Sequence, residues 1–80
     1  MTVTVLLFAS YADALGASSV ELPLPASGTV RDVVSALARL PGGERLPPVP
    51  LVAVNQVYAS YDGLVGAGDE VAVIPPVAGG

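Results

Sequence analysis

The sequence predicts a single α+β domain in which a mixed sheet of four to five strands packs on one main helix. Three observations carry this. Apolar, β-branched runs of strand length recur along the chain, only one long segment has helical spacing, and a run of prolines and glycines separates that segment from a hairpin and a last strand. Eighty residues suit one domain, and a chain of this size buries only ~60% of the surface it would expose unfolded. With 52% hydrophobic residues there is enough apolar material for a compact core, and with no Cys there is no disulfide frame.

The first strand is "TVTVLLF", residues 2–8, with Val3, Val5 and Leu7 on one face and Thr2, Thr4 and Phe8 on the other. "SYADALG" reads as one or two helical turns, with Ser10 as N-cap, Asp13 in the capping-box position and Gly16 at the stop. "SVELPLP" is the second strand, and Pro23 and Pro25 make its end an edge or an exit. The main helix is "TVRDVVSALARL", residues 29–40. Thr29 is its N-cap and Asp32 its capping-box partner, and Val30, Val33, Val34, Leu37 and Leu40 share a face. It is expected to serve as the crossover between parallel second and third strands. "PGGERLPPVP", residues 41–50, reads as a connector crossing the domain. "LVAVNQVYA" predicts a hairpin turning at Asn55 and Gln56, and "EVAVI" the last strand, with Val71 and Val73 facing the core.

Composition removes several classes of function. Seven acidic residues against three arginines give a net charge of −4 and no basic stripe, so nucleic acid is not an expected partner. A partner with a basic rim fits better. Without His or Cys the chain has no side chain titrating near neutrality, no thiolate and no Cys/His metal site, so no active site of its own is expected. Asp69 and Glu70 are the only adjacent carboxylates, and on a strand neighbours point to opposite faces. No apolar run approaches the ~20 residues of a bilayer span, and no signal-peptide pattern opens the chain. A cytoplasmic protein is the expectation.

That leaves the end of the sequence, "IPPVAGG". An α-carboxyl group is ionised at neutral pH, with a pKa of about 3.3–3.7, and can attack an electrophilic phosphorus without a base from its own chain. It is a poor acyl donor, so a second protein has to activate it. Pro75 and Pro76 keep the start of such a tail extended, while Gly79 and Gly80, lacking Cβ atoms, can run through a narrow channel. The expected division is a domain over residues 1–74 and an extended tail over residues 75–80.

Three stretches carry a family resemblance: "LLFASYADALG", "LVAVNQ" and "GDEVAVIPPVAGG". Together they resemble the small subunit of molybdopterin synthase, the MoaD-like sulfur carrier of the ubiquitin-like β-grasp family. The resemblance implies a β-grasp fold and a site at Gly80, which is adenylated by an E1-like enzyme using ATP and then loaded by a sulfur donor to give a thiocarboxylate. It further implies that Pro75, Pro76, Val77, Ala78 and Gly79 thread into partner proteins, chiefly the large synthase subunit in a heterotetramer. There the sulfur would pass to cyclic pyranopterin monophosphate, with no cofactor or metal held by this chain. Phe8 and Ile74 are candidates for partner surface, as are Tyr58 and Tyr61 near the hairpin. Two departures stand out: Ala12 occupies a position where family members often carry a basic residue, and the Pro-rich loop 41–50 is not among the stretches that match the family.

The same fold and tip would also suit a sulfur carrier for thiamine thiazole or for tRNA thiolation, or a ubiquitin-like modifier joined to lysines. The absence of lysine in this chain argues against self-linked polymers.

Overall fold

A computed structural model describes residues 1–75 of the chain. Strand β1 (Thr2–Leu7) alternates outward Thr2 and Thr4 with buried Val3, Val5 and Leu7, as its period-2 pattern requires. Helix α1 (Ala9–Leu15) follows without a loop and ends at Gly16, whose φ of 71° is the left-handed cap expected there. Its start differs from the sequence expectation. Phe8, not Ser10, is the N-cap and makes no side-chain hydrogen bond, so the Ser10 and Asp13 capping box does not form.

Strand β2 (Ser19–Pro23) is an edge strand ending at Pro23, where a missing N–H is harmless. Helix α2 (Val30–Ala38) has the predicted capping box. Thr29 N–H donates to Asp32 Oδ2 at 2.9 Å, and Asp32 N–H donates to Thr29 Oγ1 at 3.4 Å. Such a cap contributes about 1 kcal/mol. After a short 3₁₀ turn at Gly43–Arg45 come β3 (Leu51–Val54), β4 (Val57–Tyr58) and β5 (Glu70–Ile74). Asn55 and Gln56 both have positive φ, 50° and 71°, the pattern of a type I′ hairpin turn.

The described residues form a five-stranded sheet in the order β2-β1-β5-β3-β4. Only β1 and β5 are parallel, and the other pairs are antiparallel. The crossover expectation therefore changes. Helix α2 does join the second strand to the third, but those strands are separated by β1 and β5 and never pair. The first and last strands take the centre instead, and everything between them is the connection.

One face of this sheet meets α2. Val3, Val5, Leu7, Leu22, Val52, Val71 and Val73 from the strands close over Val30, Val33 and Leu37 from the helix. Val34 and Leu40, predicted for the same helical face, flank that core half-buried. Among the described residues no buried side-chain nitrogen or oxygen lacks a hydrogen-bond partner, and no helix is long and apolar enough to cross a membrane.

Candidate functional site

The parallel pairing of β1 with β5 decides where the chain leaves its last strand. Their register runs to Leu7 opposite Val73, so Phe8, the residue after β1, and Ile74, the last residue of β5, lie at the same end of the sheet. Strand β3 begins at that end too, with Leu51 opposite Ile74. Three neighbouring strands thus bring Phe8, Ile74 and Leu51 to the root of the tail, and Phe8 and Leu51 are 46% and 48% exposed. Large apolar side chains left in water at one spot are a mark of an interaction surface.

Phe8 reaches this position by a route the sequence did not announce. It sits at the strand-to-helix junction, where its carbonyl accepts hydrogen bonds from Tyr11 N–H at 3.0 Å and Ala12 N–H at 3.3 Å. The next residue, Ala9, has φ of 47°. A left-handed conformation costs an L-residue roughly 1–2 kcal/mol. This tight reversal leaves Phe8 outside and turns Tyr11 inward, where it is 6% exposed.

Beside the tail root lies an open groove of about 320 Å³, walled by Tyr11, Pro47, Val49, Pro50, Leu51 and Ile74. The loop that forms one side is held at both ends. Gly42, with φ of 88°, seats it on α1 so closely that an added Cβ would stand 2.9 Å from the Ala14 carbonyl carbon and nearer still to its oxygen. At the other end the Tyr61 hydroxyl donates to the Pro50 carbonyl at 2.6 Å. Tyr61 is therefore a structural residue packed against the core, not the surface candidate expected from sequence. Burial raises the pKa of both Tyr11 and Tyr61, so the two phenols stay neutral and keep their donors.

Of the residues predicted for the site, Phe8 and Ile74 are brought together, and Pro75 follows directly, half-buried. Pro76, Val77, Ala78, Gly79 and Gly80 lie outside the described residues. Tyr58 is exposed on β4, opposite Ala53 and away from the groove walls. Ala12 is half-buried against the core. Sequence reasoning missed Leu51, whose place as first residue of an alternating strand could have revealed it, and it missed Tyr11, Pro47, Val49 and Pro50.

The charges are also sorted. Glu21 and Glu70 both pair with Thr4 and form one acidic row on the sheet face opposite α2, while all three arginines lie on α2 or just beyond it. Arg31 binds Asp62 at 3.1 Å and lies 5.7 Å from the Tyr61 ring centroid. That ion pair is largely exposed, so it contributes at most about 1 kcal/mol. Asp69, next to Glu70, is occupied locally. Its carboxylate accepts from Gly66 N–H at 2.7 Å and from Asn55 Nδ2 at 3.1 Å, and these bonds lower its pKa.

The sequence matches the ThiS family over residues 5–80, a span that includes both the tail root and the terminal Gly-Gly. The chain belongs to the ThiS family. Two relatives share nearly the whole of this ThiS-family chain, and both are molybdopterin synthase sulfur carrier subunits. The one from Dictyostelium discoideum is 36% identical over 80 residues, covering 95% of this chain and 93% of that protein. The one from Arabidopsis thaliana is 30% identical over 79 residues, covering 98% and 82%. Among solved structures, SAMP1 from Haloferax volcanii matches with a TM-score of 0.86 at 29% identity, over 100% of both chains. The ThiS-family chain therefore has the ubiquitin-like β-grasp fold, and the resemblance seen in its sequence holds over nearly its full length.

Proposed function

We propose that this ThiS-family protein is the sulfur-carrying small subunit of molybdopterin synthase, working in the cytoplasm as a substrate of other proteins and not as a catalyst. The observation that carries this reading is its near-full-length similarity to two molybdopterin synthase sulfur carrier subunits. The apolar collar of Phe8, Leu51 and Ile74 at the tail root supports it, because a protein that draws in the tail has to cover that end of the sheet.

In this reading a Gly80 carboxylate oxygen attacks the α-phosphorus of ATP held by an E1-like enzyme, and pyrophosphate leaves. Hydrosulfide supplied by a sulfur donor then attacks the acyl carbon, and AMP leaves as the C–O bond breaks, giving the thiocarboxylate and a proton. The tail, residues 75–80, next enters the large synthase subunit, where the thiocarboxylate sulfur attacks a carbon of cyclic pyranopterin monophosphate and the C–O bond of that carbon breaks, its oxygen substituent leaving. Hydrolysis of the resulting acyl-sulfur bond returns an ordinary carboxylate, and two such deliveries complete the dithiolene. The chain supplies position: Pro75 and Pro76 restrict the tail before it binds, and Gly79 and Gly80 present no side chain to the channel. It holds no cofactor, and ATP is consumed on the activating enzyme.

Intact-mass analysis tests the reading. After incubation with ATP, a sulfur source and the activating enzyme, the mass should rise by the difference between one sulfur and one oxygen, and fragmentation should place it on Gly80. Sulfur elsewhere, or none with competent partners, refutes it. The SAMP1 structure, described as a small archaeal modifier protein, favours a second reading in which Gly80 is joined to lysines of other proteins. The same spectra decide between them, since conjugation appears as the carrier's mass, less water, added to a target.

A further inference from the structure

We infer that Ala9 is a positioning residue: its strained backbone holds Phe8 outward as a preset anchor, which an apolar pocket of the protein enclosing Gly80 receives. The inference rests on the proposed function and adds to it a residue that touches neither ATP nor sulfur.

Ala9 has φ of 47°, in the left-handed region that an L-residue enters only at a cost. The reversal from β1 into α1 requires that conformation, but it does not require alanine. Glycine adopts it without strain, and the chain places glycine at positions 16, 42 and 68, where φ is 71°, 88° and 85°. Nor does packing call for the methyl group, because Ala9 is exposed. What a Cβ does at this position is narrow the backbone. A residue with a side chain has one small left-handed well, whereas glycine has that well and the wide mirror regions around it. Strain retained where glycine would remove it points to use.

The residue that gains from a narrow junction is Phe8. It is extended, with φ of −127° and ψ of 151°, and it continues the outward face of β1. The backbone on either side is tied: Leu7 N–H donates to the Ser18 carbonyl at 2.9 Å, and the Phe8 carbonyl accepts from Tyr11 and Ala12. Ala9 joins these fixed segments, and its well sets the angle between strand and helix from which the Phe8 ring projects. Leu51, the other large exposed member of the collar, opens a regular strand and has no such joint. An aromatic side chain whose backbone is already ordered loses little freedom when a pocket covers it, and buried aromatic anchors dominate the energetics of many interfaces.

The position of Phe8 identifies what covers it. Phe8 lies level with Ile74 on the neighbouring strand, about 4.8 Å away across the sheet. From Ile74 to Gly80 the chain spans at most roughly 22 Å, at 3.3–3.6 Å for each residue. A protein closed around Gly80 therefore stands over this end of the sheet, and an interface of about 800 Å² on each partner takes in a ring that close to Ile74. In the proposed cycle the activating enzyme and the large synthase subunit both close on the same carboxyl group, so the anchor serves both. A preset anchor also suits a carrier that must dock and leave repeatedly, because it lowers the cost of each docking without a large contact area.

The test measures the KM for carrier in two assays, pyrophosphate release with the activating enzyme and product formation with the large subunit. Phe8→Ala should raise KM about tenfold in both, with kcat within about twofold of wild type, because an anchor remote from the carboxyl group binds ground state and transition state alike. Ala9→Gly should raise KM about threefold in both while the unfolding midpoint is unchanged or higher, since relief of the strain offsets the added freedom of the unfolded chain. In the Phe8→Ala background, Ala9→Gly should change nothing further. Wild-type KM values for Ala9→Gly overturn the inference, and so does a rise matched by a lower midpoint, which marks a merely structural role. An equal rise in the Phe8→Ala background shows that Ala9 does not act through Phe8 and overturns it too. A rise in one assay alone overturns the shared anchor. A wild-type chain that the activating enzyme does not adenylate overturns the proposed function, and the inference with it.

Discussion

Gly42→Ala is expected to be among the most damaging single-methyl additions in this chain. Gly42 has φ of 88° and ψ of −11°, so any L-residue there carries the left-handed penalty of roughly 1–2 kcal/mol. The added Cβ also meets the Ala14 carbonyl of α1, 2.9 Å from its carbon and closer to its oxygen. Neither partner can rotate away, because both are backbone. Relief requires the loop to lift from the helix, an overpacking cost of about 1–3 kcal/mol. The sum, roughly 2–5 kcal/mol, is a large part of the ~5–15 kcal/mol that holds a small domain. Gly16→Ala separates the two causes, since Gly16 has φ of 71° but nothing within 4 Å of its added Cβ, and should lose only the strain. Urea unfolding of both variants, with midpoints compared at constant m-value, gives the numbers. If Gly42→Ala costs no more than Gly16→Ala, the close seat of the loop on α1 is wrong, and so is the rigidity ascribed to the groove.

Leu37→Ala removes a side chain with no solvent exposure from the helix–sheet core and should cost about 2–5 kcal/mol by denaturant midpoint. Gln56→Gly places the preferred residue at φ of 71° in the hairpin turn and should raise stability by about 0.5–1 kcal/mol; a lower thermal midpoint would count against a type I′ turn. Asp69 has a folded pKa below its unfolded value of about 3.9, so its contribution is full above that pH and is lost as pH falls through the folded pKa. Asp69→Asn should therefore flatten the acid limb of a plot of thermal midpoint against pH. Gly79→Val should leave stability within about 0.5 kcal/mol of wild type while slowing pyrophosphate release with the activating enzyme, or product formation with the large subunit, by roughly a hundredfold; wild-type rates in both assays would show that no narrow site reads the Gly-Gly.

The parts of the fold legible in sequence are those governed by local rules. Alternation in "TVTVL" and "EVAVI", the Thr29 and Asp32 capping box and Gly16 at a helix stop each depend on residues close in sequence, and each appears where expected. The hairpin at Asn55 and Gln56 is local as well, and both residues take the positive φ that the turn requires. What was not legible depends on packing. Nothing about Ala9 announces a positive φ, because only the need to pass directly from β1 into α1 imposes it. Ser10 and Asp13 satisfy the capping pattern on paper, but the helix begins earlier, at Ala9 with Phe8 as N-cap, and the pattern goes unused. The pairing of β1 with β5 spans almost the whole chain and has no local signature. The loop at residues 41–50 has no periodicity to read, so its role as a wall beside the tail emerges only once Gly42, Tyr61 and Ile74 are placed in space.

The long-range β1–β5 pairing that sequence could not reveal is also the one that suits the fold to a carrier. Because the two strands are parallel, the end of β5 is also the end of β1, and the tail starts beside Phe8 instead of at an isolated tip. Strand β5 has neighbours on both sides, β1 and β3, so Ile74 is held by a central strand and Pro75 follows just outside it. An edge strand would fray and blur the starting point of the tail; a central one fixes it. In the proposed function the domain brings no acid, base or metal to the reaction, so its contribution is the position from which Gly80 is presented. That contribution depends on the core under β5 and on the collar around the tail root, whereas the chemistry depends on the last two glycines. Core substitutions should then lower the amount of folded carrier without changing the rate per folded molecule, and tail substitutions should do the reverse.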